Sequence, residues 1–315
     1  MAVGVRGGIR SAISLVPVLV AACGSPEWWG WRPPAEEDVP PSPPSACNGS
    51  AELCDRPYDR VAFGTTHNAM SSADEGWFPA NQRHNVARQL DDGVRALMLD
   101  LHYSPLDSLD PFADAPLPFL CHAVCIPGVG ESPLEDTLAL IRIFLKAHPH
   151  EVLTIIFESY VDPPDVERAF AKAHLLQLLH AQPPDAPWPT LREMIARGQR
   201  VVVFTDRGGG AFDWYHDVWA HAWDTRWRVA SPGLFDCEPD RGSPENRLFI
   251  LNHFLTSIRG PGEQLAWQAN FNPTFIDHAL RCRQSSGRTP NFLTVDYYDE
   301  GDLFLVLDAL NRAAP

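Results

Sequence analysis

The chain has 315 residues, 45% of them apolar, and a formal charge of −15 at pH 7. That length suits one large domain or two small ones, and the apolar share is enough to bury a sizeable core. So acidic a surface does not gather nucleic acid or anionic lipid by long-range attraction, which argues against a nucleic-acid partner.

The N-terminal 22 residues read as a secretory leader. Arg6 and Arg10 precede "SAISLVPVLVAA", which is too short to span a bilayer. Its removal takes both arginines and moves the charge from −15 to −17. The leader ends "VAAC", which resembles the lipobox of bacterial lipoproteins, and by that resemblance Cys23 carries a lipid. The alternative is ordinary cleavage nearby that leaves Cys23 a spare thiol. Residues 23–46 are too rich in proline to pack and read as an extended stalk, with Trp28, Trp29 and Trp31 either at a membrane interface or simply in the linker. Six further cysteines form an even set, as expected of an oxidised exported chain. Short spacing suggests Cys47 with Cys54 and Cys121 with Cys125, leaving Cys237 for Cys282. No paired CxxC spacing supports a zinc site instead.

From residue 47 onward strand-like and helix-like segments alternate. "VAFGTTH" is followed by a helix in "NQRHNVARQLDDG", then by the strands "RALMLDLHY" and "LPFLCH". "SPLEDTLALIRIFLKAHP" reads as a helix and "EVLTIIFES" as a strand. Helices near 164–180 and 189–197 precede the strand "QRVVVFTD". "RLFILNHF", a helix near 273–283, "NFLTVDYY" and a helix over 301–312 complete the order. About seven alternations with strands apolar throughout predict one α/β domain over 47–315, a parallel sheet covered on both faces.

His67, Asp100, His122, Glu158, Asp206, Asn252 and Asp296 each end a different expected strand. A closed (β/α) barrel would gather them on one rim, where barrel enzymes build their sites. Capping of the following helix explains Asp206 equally well, but histidines are poor caps. "DWYHDVWAHAWDTRWRV" spaces Trp219, Trp223 and Trp227 along one helical face, which reads as a core stripe ahead of a lipid-docking face. "DRGGGAF" reads as a flexible loop.

Two histidines at one cleft suit phosphodiester cleavage, since one ring can take a proton from the attacking hydroxyl and the other can give one to the leaving oxygen. A carboxylate beside the base fixes its tautomer, and Asp296 is placed for that. Asn68, Asp100 and Glu158 offer oxygen ligands for a hard cation, or equally a hydrogen-bonded network at the barrel mouth.

The blocks "YDRVAFGTTHNAM", "QLDDGVRALMLDLHY", "FLCHAVC", "FLKAHPHEVLTIIFESYV" and "PNFLTVDYYDE" resemble, in order, those of the phosphatidylinositol-specific phospholipase C X-domain family. The likeness is greatest to its exported plant, fungal and bacterial branch, and covers roughly residues 47–312. It implies a distorted (β/α) TIM-type barrel with His67 as general base, His122 as general acid and Asp296 orienting the base. It further implies a phosphoinositol lipid as substrate, a cyclic phosphate as product, and calcium at Asn68, Asp100 and Glu158 in the metal-dependent members. His102, Asn252 and Asp206 are assigned to substrate binding.

Two departures stand out. His102 occupies the place of a phosphate-binding arginine of metal-independent members, and Met98 that of a metal-binding glutamate. Either a calcium ion or a changed substrate is expected to compensate. Competing readings are a glycerophosphodiesterase-like enzyme, although "HNA" replaces its usual "HRG", and a surface module that binds lipid or glycan without turnover. The expected setting is an exported, monomeric cell-envelope lipoprotein held to the membrane through Cys23, or its released secreted form.

Overall fold

In the computed structural model the described residues are Met1, 43–104, 117–122, 125 and 130–312. The leader, Cys23 and Trp28, Trp29 and Trp31 lie outside them. Internal contacts divide the chain into Met1–Arg32 and Pro33–Pro315, and everything described below belongs to the second unit.

In chain order the strands are β1 (Phe63–Thr66), β2 (Ala96–Tyr103), β3 (Pro118–Leu120), β4 (Ser132–Pro133), β5 (Leu153–Ser159), β6 (Val201–Thr205), β7 (Tyr215–Asp217), β8 (Ala222–Thr225), β9 (Pro239–Gly242), β10 (Leu248–Asn252) and β11 (Phe292–Val295). The helices are α1 (Val86–Asp91), α2 (Leu134–Ala147), α3 (Pro163–Lys172), α4 (Leu191–Ala196), α5 (Val218–His221), α6 (Glu263–Ala269), α7 (Thr274–Ser286) and α8 (Leu303–Arg312). Eight strands pair in parallel in the order β7, β6, β5, β2, β1, β11, β10, β8. That order follows the chain around a curl, as in a (β/α) barrel. Among the described residues β7 and β8 do not pair, so the barrel is distorted by an open seam there.

Period-two alternation sorts the strand residues between two cores. Leu97, Leu99, Ile155, Phe157, Val201, Val203, Phe249, Leu251, Leu293 and Val295 pack in the cluster that includes the helices. The alternate positions Phe63, Ala96, Ile156, Val202, Phe204, Ile250 and Phe292 form the other cluster. It continues into Tyr58 and Trp188, whose rings stack 4.5 Å apart. Burying each such side chain contributes about 1.5–3 kcal/mol. Both faces are therefore apolar, which is why the strands show no polar alternation in sequence.

Local signals set the helix limits. Asn85 caps α1 through the Arg88 amide, and Thr190 and Glu193 form a reciprocal box at α4. In α2, Leu134, Leu138, Ile141 and Leu145 recur at helical spacing on the buried face. The expected helix over 81–93 is reduced to α1, because Asn81 and Gln82 instead turn to the cleft at the barrel mouth, Asn81 lining it and Gln82 bonding the main chain at His67 and Val295. The three disulfides join Cys47 to Cys54, Cys121 to Cys125 and Cys237 to Cys282, as expected.

Two expectations are corrected. "LPFLCH" is not a barrel strand: β3 runs antiparallel to β2 and forms a flap with β4. The tryptophan-spaced segment is not a helix but β7, the single turn α5 and β8. Trp223 faces the helix-side core and stacks on Phe249 at 3.8 Å, whereas Trp219 and Trp227 line the cleft described next.

Candidate active site

At the C-terminal ends of the strands lies a cleft of about 540 Å³. His67, Asn68, Asp100, His122, Glu158, Asp206, Asn252 and Asp296 all line it. Strand register brings them together. Asp100 is the Cα partner of Glu158, Thr66 pairs with Val295 immediately before His67 and Asp296, and Asn252 pairs with Thr294. Asp100, Glu158, Asp206 and Asn252 each lie two residues beyond a position of the inner cluster, Met98, Ile156, Phe204 and Ile250, so the alternation that fills the barrel also delivers polar groups to its mouth.

His67 is the most firmly held. Its Nδ1–H donates to Asp296 Oδ1 at 2.9 Å, leaving Nε2 free. Asn81 Nδ2 donates to the same oxygen at 2.9 Å, and Gln82 Nε2 donates to the main-chain oxygens of His67 and Val295. Phe254 lies flat against the imidazole, with centroids 4.0 Å apart at 11°. Asn68 and Tyr297, the residues after His67 and Asp296, both have left-handed backbone, with φ of 46° and 44°. A tyrosine in that region is strained, and the bonds from Tyr297 N to Asn81 O and from Asn270 Nδ2 to Asp296 O hold it. Burial works against a charge on His67, but attraction to Asp296, Asp100 and Glu158 outweighs it and raises the ring's pKa.

His122 stands on the Cys121–Cys125 loop, half-buried. The Cys121 amide donates to Asp100 O, tying that loop to β2. Among the described residues the ring itself forms no hydrogen bond. Burial and the nearby His67 lower its pKa, against weaker attraction from Asp296 and Glu158. In the free cleft these directions place the proton on His67, the reverse of the roles that the resemblance implies.

Asp100 is pushed up to about 7, by burial first and then by repulsion from Glu158, with attraction to His67 opposing. Glu158 accepts from the Tyr160 hydroxyl at 2.6 Å. Asn68 is buried and donates to Asn81 Oδ1 at 3.4 Å. Two carboxylates and an amide oxygen at one wall form an all-oxygen donor set that fits a hard cation, which would offset both the burial and the repulsion that raise the Asp100 pKa. Met98 lines the same wall without an oxygen.

His102 does not line the cleft. It stacks on Tyr160 at 4.5 Å, its Nε2 is buried with no partner among the described residues, and Arg207 lies over the same tyrosine at 4.1 Å. Asp206 accepts from the Ser159 amide through Oδ1 at 2.8 Å and pairs with Arg207 through Oδ2. Asn252 donates to Asp224 and to Thr225 O.

Sequence reasoning missed the wall opposite. Asp224, at the end of β8, is fully buried and accepts from the Arg241 amide and guanidinium. Burial raises its pKa against the pull of Arg241. Among the described residues Arg241 is the only Lys or Arg lining the cleft, and it lies over the Trp219 ring at 4.6 Å. Gly242 permits this approach: its φ is 74°, and a Cβ there would meet Ala222 O at 2.2 Å. Asp224 follows the same strand-end rule as the other site residues and was legible once β8 was recognised. Arg241, Asn81 and Phe254 carry no local signal.

Comparison with known proteins agrees with this architecture. Residues 53–311 match the PI-PLC X 1 family. A PI-PLC X domain-containing protein of Arabidopsis thaliana is 30% identical over 296 residues, 86% of this chain and 65% of that protein. PI-PLC X domain-containing protein 1 of Arthroderma benhamiae is 26% identical over 84% of this chain and 89% of its own length. The chain thus spans just under two thirds of the plant relative. Among solved structures, the phosphatidylinositol-specific phospholipase C of Listeria monocytogenes superposes with a TM-score of 0.55 at 14% identity, covering 83% of this chain and 96% of that one. On the family match and the shared barrel, the chain belongs to the PI-PLC X domain family.

Proposed function

We propose that the cleft cleaves a phosphoinositol lipid by general acid–base catalysis, as a phospholipase C-like phosphodiesterase. The observation that carries this reading is the orientation of His67: Asp296 holds Nδ1, so the free Nε2 faces a cleft that His122 also enters. His67 Nε2 takes the proton of the inositol 2-hydroxyl, whose oxygen bonds to phosphorus. The bond from phosphorus to the diacylglycerol oxygen breaks, and His122 gives that oxygen its proton. The products are a cyclic inositol phosphate and diacylglycerol.

The proton must start on His122 and be absent from His67. A substrate phosphate beside His122 favours its charged form, which offsets the burial that lowers it. On the other side, Asn68, Asp100 and Glu158 would hold a calcium ion, which would neutralise charge on the phosphoryl oxygens and draw down the His67 pKa. Arg241 and Asn252 present donors to the headgroup, held from behind by the buried Asp224, and Arg241 supplies the cationic charge missing at residue 102. Export through the 1–22 leader, a stalk over 23–46 and anchorage by Cys23 complete the reading, with the barrel acting as a monomer; the intact mass of the envelope-extracted protein tests the lipid.

The deciding experiment incubates the protein with phosphatidylinositol, phosphatidylcholine or a glycosylinositol-anchored protein, with calcium or chelator, and follows phosphorus by NMR. A cyclic phosphate signal supports the proposal. Release of glycerol phosphate or choline phosphate replaces it with another phosphodiesterase activity. The free-state proton placement favours a second reading, a lipid- or glycan-binding module, for which binding without turnover is the expected result.

A further inference from the structure

We propose that His253 and His278 hold one proton between their Nδ1 atoms, and that this buried charge fixes Phe254 on the His67 ring. His253 leaves β10 directly after Asn252, His278 sits on α7, and both are buried to within 1%. Their Nδ1 atoms are 2.8 Å apart. Each Nε2 faces a main-chain oxygen at 3.0 Å: that of Ala269 for His253, that of Asp236 for His278.

The count of protons is decisive. A carbonyl oxygen only accepts, so both Nε2 atoms must carry hydrogen. The contact between the Nδ1 atoms needs a third hydrogen, and two neutral imidazoles bring only two. A neutral pair would set a lone pair against a carbonyl, or two lone pairs against each other at 2.8 Å. One extra proton satisfies all three contacts and gives the pair a single positive charge.

The surroundings bear on that charge in both directions. Burial opposes it and pushes both rings below the ordinary histidine value. That penalty excludes a second proton, while the first is retained by three hydrogen bonds. Ala269 O is the last carbonyl of α6, where the helix dipole favours a cation. The Asp236 carboxylate, itself paired with Arg226, attracts the pair and Arg281 repels it. Phe275 stacks on His253 at 4.0 Å, and Phe235 stacks on both rings.

The shared proton thus ties the β10 exit to the end of α6, to α7 and to the loop at Asp236. Cys237–Cys282 joins that same loop to α7. Phe254, the next residue, is thereby held at its stacking distance from His67. Only this last step rests on the reading of His67 as a base.

Histidine ring-nitrogen NMR on the ¹⁵N-labelled full chain tests the first part without any substrate. At pH 7 one of the two rings is expected to be protonated at both nitrogens and the other at Nε2 alone, with a slowly exchanging proton between them. Two singly protonated rings would overturn the shared charge. For the second part, His278→Gln is expected to remove that proton, weaken the Phe254–His67 ring contact seen by nuclear Overhauser effect, and lower kcat with KM unchanged. Should the variant not fold, raising the wild type to alkaline pH removes the same proton, and a ring contact that survives its loss overturns the link to Phe254. Absence of phosphatidylinositol cleavage in the wild type would sink the functional reading while leaving both NMR results decisive.

Discussion

His67 leaves a central strand with its edge on Asp296, its face on Phe254 and its carbonyl on Gln82, whereas His122 stands on a loop closed by cysteines four residues apart. The first is fixed by a non-covalent network at the end of a barrel strand, and the second by a covalent clip on a loop. A base needs one tautomer and one orientation, which hydrogen bonds can specify. An acid needs a protonated nitrogen near the leaving oxygen, and a tethered ring meets that requirement. The two pKa values move apart because burial and the neighbouring His67 outweigh the carboxylates at His122, whereas attraction to Asp296, Asp100 and Glu158 outweighs burial at His67.

Several substitutions break that contrast. His67→Ala is expected to lower turnover of phosphatidylinositol by about 10³–10⁴-fold, toward the upper end for general acid–base groups, by the phosphorus NMR assay. The loss should persist for a substrate with a nitrophenolate leaving group, because the attacking hydroxyl still needs a base. His122→Ala should cost about 10²–10³-fold with the lipid. Here the nitrophenolate substrate should recover most of the rate, since that leaving group needs no proton. Equal rescue of both variants would erase the distinction between the rings.

Disulfides sharpen the comparison on the stability side. Replacing both Cys237 and Cys282 by Ser opens a 45-residue separation and should cost about 4 kcal/mol in denaturant unfolding, against about 2 kcal/mol for the pair at 121 and 125, four residues apart. Turnover should rank the other way, falling more for the smaller loop because it carries His122. A smaller effect concerns Asp100. Its folded pKa of about 7 lies above the ordinary aspartate value of 3.8, so the folded state binds the extra proton between those values. Stability from this group is therefore present at low pH and lost as pH rises through 7. Asp100→Asn should raise the thermal midpoint above pH 7, change little near pH 4, and abolish any calcium-dependent shift.

The barrel was legible because its strands are apolar on both faces and end in polar residues, and six such ends, with His122 on the flap, named seven residues of the cleft before any geometry. β7 and β8 were not, because tryptophans at 219, 223 and 227 imitate helical spacing while strand, turn and strand share only eleven residues. The same error hid Asp224. "LPFLCH" has strand composition but pairs against the grain of the sheet, and pairing direction leaves no trace in a short apolar run. Arg241 reaches the cleft on an antiparallel strand, and Asn81 and Phe254 act through partners about 215 and 187 positions away. Contacts of that range exist only once the chain has closed on itself.

The seam between β7 and β8 has a consequence for what the mouth admits. An incomplete ring has no fixed circumference. Elsewhere, widening the opening would tear backbone ladders, but here, among the described residues, only the turn α5, with Val218 and Trp219 on the cleft wall, joins β7 to β8. On the phosphodiesterase reading, a bulkier headgroup is expected to be accommodated on that side through side-chain repacking, while the wall with the two imidazoles keeps its shape.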